Sequence, residues 1–136
     1  MRFTIPDLVS AAPEYTPDDV AQDYVEACDN LTDNRFKSAG IMFRRALETC
    51  LKHKFEDSGK ERPLGSRIKK LCDDRNLTKE LGDFAEHIKE IGNETTHGDN
   101  WSEAGVRDIQ VLTEAIFRYL YTLPGMIAAA QHRQSP

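Results

Sequence analysis

An all-α, up-and-down bundle of about five helices is the fold that this 136-residue sequence predicts. Two observations carry that expectation. Apolar residues recur at spacings of three and four in one segment after another, the signature of helices with a single buried stripe. No segment sustains the period-two alternation of a half-buried strand. The connections are short, which favours antiparallel neighbours.

Residues 1–15 carry two prolines and little periodicity, and read as an N-terminal arm or linker. The helical domain is expected over 16–130, with 131–136 as a C-terminal tail. In "YTPDDV", Thr16 is placed as an N-cap and Pro17 at the first helical position, with Asp18 and Asp19 set against the helix dipole. Val20, Tyr24, Ala27, Cys28 and Leu31 follow as the stripe of the first helix. "TDN" at 32–34 ends it and caps the next.

The second helix, about Arg35 to Phe55, turns Phe36, Ala39, Phe43, Ala46, Leu47, Cys50 and Lys54 inward. "KERPLG" breaks the chain, and a shorter helix buries Leu64, Ile68, Leu71 and Cys72. Thr78 caps a fourth helix with Leu81, Phe84, Ala85, Ile88 and Ile91 inward. "HGDNWSEAG" is a turn-rich loop. A fifth helix starts near Ser102, buries Val106, Ile109, Leu112, Ile116 and Tyr119, and is expected to stop or kink at Pro124 and Gly125. The tail MIAAA adds a final turn or two.

Composition narrows the function classes. Hydrophobic residues make up 39% and charged ones 30%, and the longest apolar run is far short of the ~18 residues of a membrane span. The N-terminus lacks the apolar core of a signal peptide, so a cytoplasmic location without a membrane partner is expected. Cys28, Cys50 and Cys72 stand alone, without the Cys/His spacing of a zinc site, and fall at helix-like apolar positions. They read as buried free thiols, and neither metal nor cofactor is expected.

The net charge is -5, and residues 1–34 hold eight acids against one base. That balance opposes non-specific binding to nucleic acid, whose affinity comes from cationic contacts with phosphate. The densest basic segment, Lys52 to Arg75, carries eight Lys/Arg against five Asp/Glu and reads as a solvated face and loop.

The polar residues of "IKEIGNETTHGD" do not read as ordinary surface. At about 100° per residue, Lys89, Asn93 and His97 share roughly an 80° arc flanked by Ile88 and Ile91. An Asn at that core boundary needs its hydrogen bonds met, and Arg44 and Glu48, one turn apart on the second helix, are the nearest candidates. A cross-helix polar cluster of Arg44, Glu48, Asn93 and His97 is therefore expected between helices two and four. The structural reading of each residue stands beside it. Gly92 permits close helix approach, His97 suits a helix C-terminus, and an Arg–Glu pair is often simply surface.

"SAGIMFRRALETCLK", "LGSRIKKL", "LTKELGDFAEHIKEIGNETTHGD" and "FRYLYTLP" together resemble domain-of-unknown-function family 4145, over about Tyr15 to Met126. That family looks like a helical member of the HEPN superfamily, whose members are often attached to restriction endonuclease subunits and other phage-defence proteins. The resemblance implies an HEPN-like bundle, a homodimer, and in the superfamily's ribonucleases an Arg-polar-x-x-x-His motif that cuts RNA across the dimer without metal. His97 matches the histidine and Asn93 the polar residue, while Gly92 stands where the arginine falls. Lys89, one turn upstream, or Arg44 is a substitute cation.

Three functions follow as expectations. The first is a non-catalytic HEPN-like interaction module in a phage-defence, restriction or toxin–antitoxin setting, binding a protein partner or its own copy. The second is a metal-independent endoribonuclease with His97 as general base, Asn93 beside it and Lys89 or Arg44 on the phosphate. The third is a nucleic-acid-binding accessory domain using Lys52 to Arg75. Exposed aromatics at Tyr119 and Tyr121, which cannot both face one core, also point to self-association.

Overall fold

A computed structural model describes residues 11–55, 63–88, 91 and 101–134. They form α1 (Asp18–Thr32), α2 (Phe36–Lys54), α3 (Leu64–Asp73), α4 (Lys79–Glu86), α5 (Glu103–Phe117), a π turn (Arg118–Thr122) and α6 (Leu123–Gln134). Among the described residues there is no strand, and the all-α bundle holds.

The first link is a helical hairpin. Asn34 adopts a left-handed φ of 62°, and the Arg35 N–H reaches back to the Asn30 carbonyl, which closes α1 and turns the chain. Asn34 thus ends α1 and does not cap α2, whose start has no side-chain cap. Nor does Thr16 cap α1. Its hydroxyl donates to the Pro13 carbonyl, and helical residues begin at Asp18. The antiparallel pair is pinned at its open end by Asp19 and His53, 2.8 Å apart, and farther along by Asp23 and Arg45 at 3.3 Å.

Helix α5 closes the core. Tyr24 of α1 sets its ring 5.7 Å from both Phe43 of α2 and Phe117 of α5, in edge and tilted contacts. Phe117 in turn meets Tyr121 at 6.0 Å. Around these rings Val20, Ala27, Ala39, Ala46, Leu47, Leu51, Ile109, Leu112 and Ile116 are buried. Burial of each large apolar side chain is worth roughly 1.5–3 kcal/mol, so these facing stripes supply most of the driving force.

Two contacts fix the direction of α5. Trp101, just before it, lies against Gly40 near the start of α2, and Tyr121, just after it, lies 5.1 Å beneath the Lys54 amine at the end of α2. α2 and α5 therefore run the same way. The chain must return from one end of α2 to the other between them, and α3 and α4 lie on that return.

α3 buries Leu64, Ile68 and Leu71, and a left-handed Arg75 (φ 66°) turns the chain towards α4. Thr78 caps α4 as expected, accepting from the Leu81 N–H at 3.2 Å. Gly82 is required here, because a Cβ would stand 2.6 Å from the Cys72 sulfur. α4 ends at Glu86, before Ile88 and Ile91, although both are buried as the periodicity implied. At its end His87 Nδ1 lies 2.7 Å from the Asp83 carbonyl, and the last N–H groups bond three residues back. The helix tightens and stops there.

Ser102 caps α5 as expected, through the Gly105 N–H. Pro124 and Gly125 do not end the helix. Proline has no N–H for the Leu120 carbonyl and crowds it. The chain responds by widening: the Leu123 N–H bonds to Arg118 across a π turn, and α6 then continues to Gln134. The inward stripe runs through Phe117, Leu120 and Tyr121, which leaves Tyr119 at 37% exposure on the outside. The end of the N-terminal arm belongs to this fold: the Thr122 hydroxyl donates to the Glu14 carbonyl at 2.7 Å, and the Tyr15 ring covers Gly125.

Substituting Gly40→Ala should lower the melting temperature, although alanine is favoured in helices by about 1 kcal/mol, because the new methyl would overlap the Trp101 ring. Urea titrations of a double-mutant cycle check this. The cost of Gly40→Ala should vanish or reverse in a Trp101→Ala background, and an unchanged cost there would show that the ring is not the obstacle.

Candidate functional site

The expected polar cluster falls partly on described residues. Arg44 and Glu48 lie one turn apart on α2, Arg44 half-buried and Glu48 exposed, and no ion pair joins them. Lys89, Asn93 and His97 lie outside the described residues, as does Gly92. The residues that bracket this segment are fixed. Ile91 is buried at 1% exposure, and Trp101 rests on Gly40, one helical turn before Arg44. The ridge Gly40–Arg44–Glu48 therefore begins where the chain re-enters the bundle. Trp101 Nε1 is buried there without a hydrogen-bond partner among the described residues.

Two lysines of the basic segment are paired with acidic neighbours. Lys69 pairs with Glu86 at 3.0 Å and Lys70 with Asp74 at 2.8 Å; beyond the segment, Lys79 pairs with Asp83 at 2.7 Å. Lys54 spreads over Tyr121 instead of lying in the core, as its place in the stripe implied. Arg67 faces inward with Leu64, Ile68 and Leu71 at 6% exposure, its Nε without a partner among the described residues. A cleft of about 160 Å³ between α3 and α4 is lined by Gly65, Ser66, Lys69, Ala85 and Glu86. It is smaller than the roughly 300 Å³ at which small-molecule sites begin.

Nucleophile chemistry finds no support at the cysteines. All three thiols are free, Cys28 and Cys50 buried and Cys72 half-buried. Burial pushes each thiol up, that of Cys50 to about 11, so the reactive thiolate is scarce at neutral pH. The Tyr121 hydroxyl has the Cys50 thiol beside it, and burial raises its pKa too. Among the described residues no group of three or more His, Cys, Asp and Glu could hold a metal ion. At the open end of the α1–α2 hairpin, the hydrogen bond to His53 holds the exposed Asp19 carboxyl below its usual range.

One feature was hidden in the sequence. The spacing sets Tyr119 inward and holds that Tyr119 and Tyr121 cannot share one core, but the buried one is Tyr121, 7% exposed, and Tyr119 stands outside. Beyond it the rod carries on, and α6 has no buried residue at all. From Tyr119 to Gln131 it carries no charged side chain either. Val111, Tyr119, Leu123, Met126 and Ile127 stand 54%, 37%, 48%, 53% and 48% exposed along it. The signal was present as methionine and isoleucine just past Pro124, in a tail expected to add only a turn or two.

The family model described as Domain of unknown function (DUF4145) matches residues 25–133, and the chain belongs to that family. No curated protein and no solved structure matches the chain.

The raised thiol values predict slow modification. With a disulfide reagent at pH 8, Cys72 should react first, and Cys28 and Cys50 only as fast as the protein unfolds. Mass spectrometry of partly modified protein checks the order. Rapid native labelling of Cys50 would contradict this packing.

Proposed function

We propose that this DUF4145 domain is a non-catalytic HEPN-like interaction module, acting in a phage-defence, restriction or toxin–antitoxin setting. The observation that carries the reading is the apolar face of the α5–α6 rod, which the bundle leaves uncovered. Soluble chains scatter exposed apolar residues singly, and a continuous stripe of them marks a contact surface. The paired lysines support the same reading over a nucleic-acid accessory role, since Lys69 and Lys70 already have acidic partners. Gly92, at the position of the superfamily's catalytic arginine, removes the fork that would hold phosphate charge in a ribonuclease.

In that role the packed α1–α2–α5 core presents the rod, and the chain needs no cofactor. Arg44 and Glu48 then serve the bundle or its contact surface, not a reaction.

Incubation of the purified protein with single-stranded RNA in EDTA tests the reading. No cleavage is expected from the wild type, and none from His97→Ala. Metal-independent cleavage that disappears with His97→Ala would overturn the interaction reading in favour of the endoribonuclease.

A further inference from the structure

The α5–α6 stripe has a definite pattern. Val111, Tyr119, Leu123, Met126 and Ile127 are separated by eight, four, three and one residues, so they return to one side of the rod. They are five of the seven large apolar residues that stand exposed among the described residues, and Tyr15 is a sixth. The bundle occupies the opposite side of the rod through Ile109, Leu112, Ile116 and Leu120.

The end of the N-terminal arm is fastened beside this stripe. Pro13 is buried, Ala12 packs against the core, and the Thr16 hydroxyl closes a turn onto the Pro13 carbonyl at 2.6 Å. The Glu14 carbonyl accepts from Thr122 at 2.7 Å and the Tyr15 ring covers Gly125, so the arm meets the rod at the π turn, halfway along the stripe. Tyr15 takes a left-handed φ of 70°, which an aromatic residue adopts only where its surroundings hold it. Residues 1–10 therefore start within a few residues of the stripe.

The chemistry of that segment suits the face. MRFTIPDLVS holds five large apolar residues, Met1, Phe3, Ile5, Leu8 and Val9, and only two charges, Arg2 and Asp7. Pro6 disfavours a helix through its middle and favours an extended Ile5. Fully extended, ten residues reach about 33 Å, whereas the twelve helical residues from Leu123 back to Val111 span about 18 Å. The charges fit as well. From Tyr119 to Gln131 the rod carries none. Asp108, one turn before Val111, is exposed and has no ion-pair partner among the described residues. It lies about 22 Å from Leu123, and Arg2, nine residues from Ala11, has a reach of about 30 Å.

We propose that residues 1–10 of the same chain lie along the α5–α6 stripe from Leu123 towards Val111, with Leu8 and Ile5 against its apolar side chains and Arg2 at Asp108, as a cover that a partner must displace. The direction follows from the stripe, of which twelve residues lie on that side of Leu123 and four on the other. Tethering sets the strength. Five half-exposed side chains present on the order of 450 Å² of apolar surface, about half of one partner's share in a standard interface. A free peptide would hold so small a face weakly, but a short tether gives the arm an effective concentration in the roughly millimolar range. The cover forms without a large interface and yields to a partner that has one. It rests on the reading of this face as a contact surface.

Nuclear Overhauser contacts in the full chain test the proposal. The methyl groups of Ile5 and Leu8 should show contacts to Val111, Tyr119 and Leu123, and Ile5→Asp with Leu8→Asp should abolish them. Leu123→Lys, at an exposed position, should release the arm in the same way, its amides moving to random-coil shifts while those of the core stay in place. Asp108→Arg should cost the Val111 contacts first, and adding Arg2→Glu should restore them. A wild-type arm with random-coil shifts and no such contacts overturns the cover. Contacts seen only between differently labelled copies overturn the same chain as occupant. Arm contacts indifferent to Leu123→Lys overturn the stripe as the docking face, and contacts indifferent to the charge swaps overturn the direction. None of these readouts involves RNA, so the cover and the non-catalytic reading fail separately.

Discussion

Tyr24 holds this structure together. Its ring touches Phe43 on α2 and Phe117 on α5, and through Phe117 it reaches Tyr121 at the π turn. The α1–α2 hairpin and the sequence-distant α5 thus meet at one side chain, itself 3% exposed. Much else depends on that junction. It holds α5 against α1 and α2, while Trp101 on Gly40 and Tyr121 beneath Lys54 set α5 parallel to α2 and oblige α3 and α4 to carry the chain back. It also orients the rod, so that Phe117 and Tyr121 point inward while Tyr119 and Leu123 point out.

The polar groups near this core show how it tolerates them. The Gln110 amide donates to the Cys28 sulfur at 3.6 Å, a weak bond inside an apolar seam. Thr113 is fully buried and returns its hydroxyl to the Ile109 carbonyl at 2.7 Å. Surface ion pairs at spacing four, such as Arg107 with Glu103, contribute a few tenths of a kcal/mol each and decorate the bundle without deciding it. Apolar packing decides it.

Much of this was legible in the sequence because the determinants are local. The stripes of α1, α2 and α3 follow from spacing alone, and Thr78 and Ser102 cap their helices as their side chains dictate. The departures share a cause, which is competition from groups that spacing does not weigh. Pro13 takes the Thr16 hydroxyl, His87 takes the Asp83 carbonyl, and the π turn carries the helix past Pro124. Of the candidate site, the sequence placed Arg44 and Glu48 on the ridge of α2, while Lys89, Asn93 and His97 lie outside the described residues. The apolar face of α6 was overlooked because only a turn or two of helix was expected after Pro124, too little to show a face.

A bundle stabilised at one aromatic junction should open from its periphery inward. Native-state hydrogen exchange measures this directly, because each amide reports the free energy of the opening that exposes it. The slowest amides should lie in α2 from Phe43 to Leu51 and in α5 from Ile109 to Phe117, exchanging only with global unfolding. Those of α6 should exchange through smaller openings, and Tyr24→Ala should collapse the difference. Slowest exchange in α3 and α4, with α1, α2 and α5 opening earlier, would contradict the central role of Tyr24.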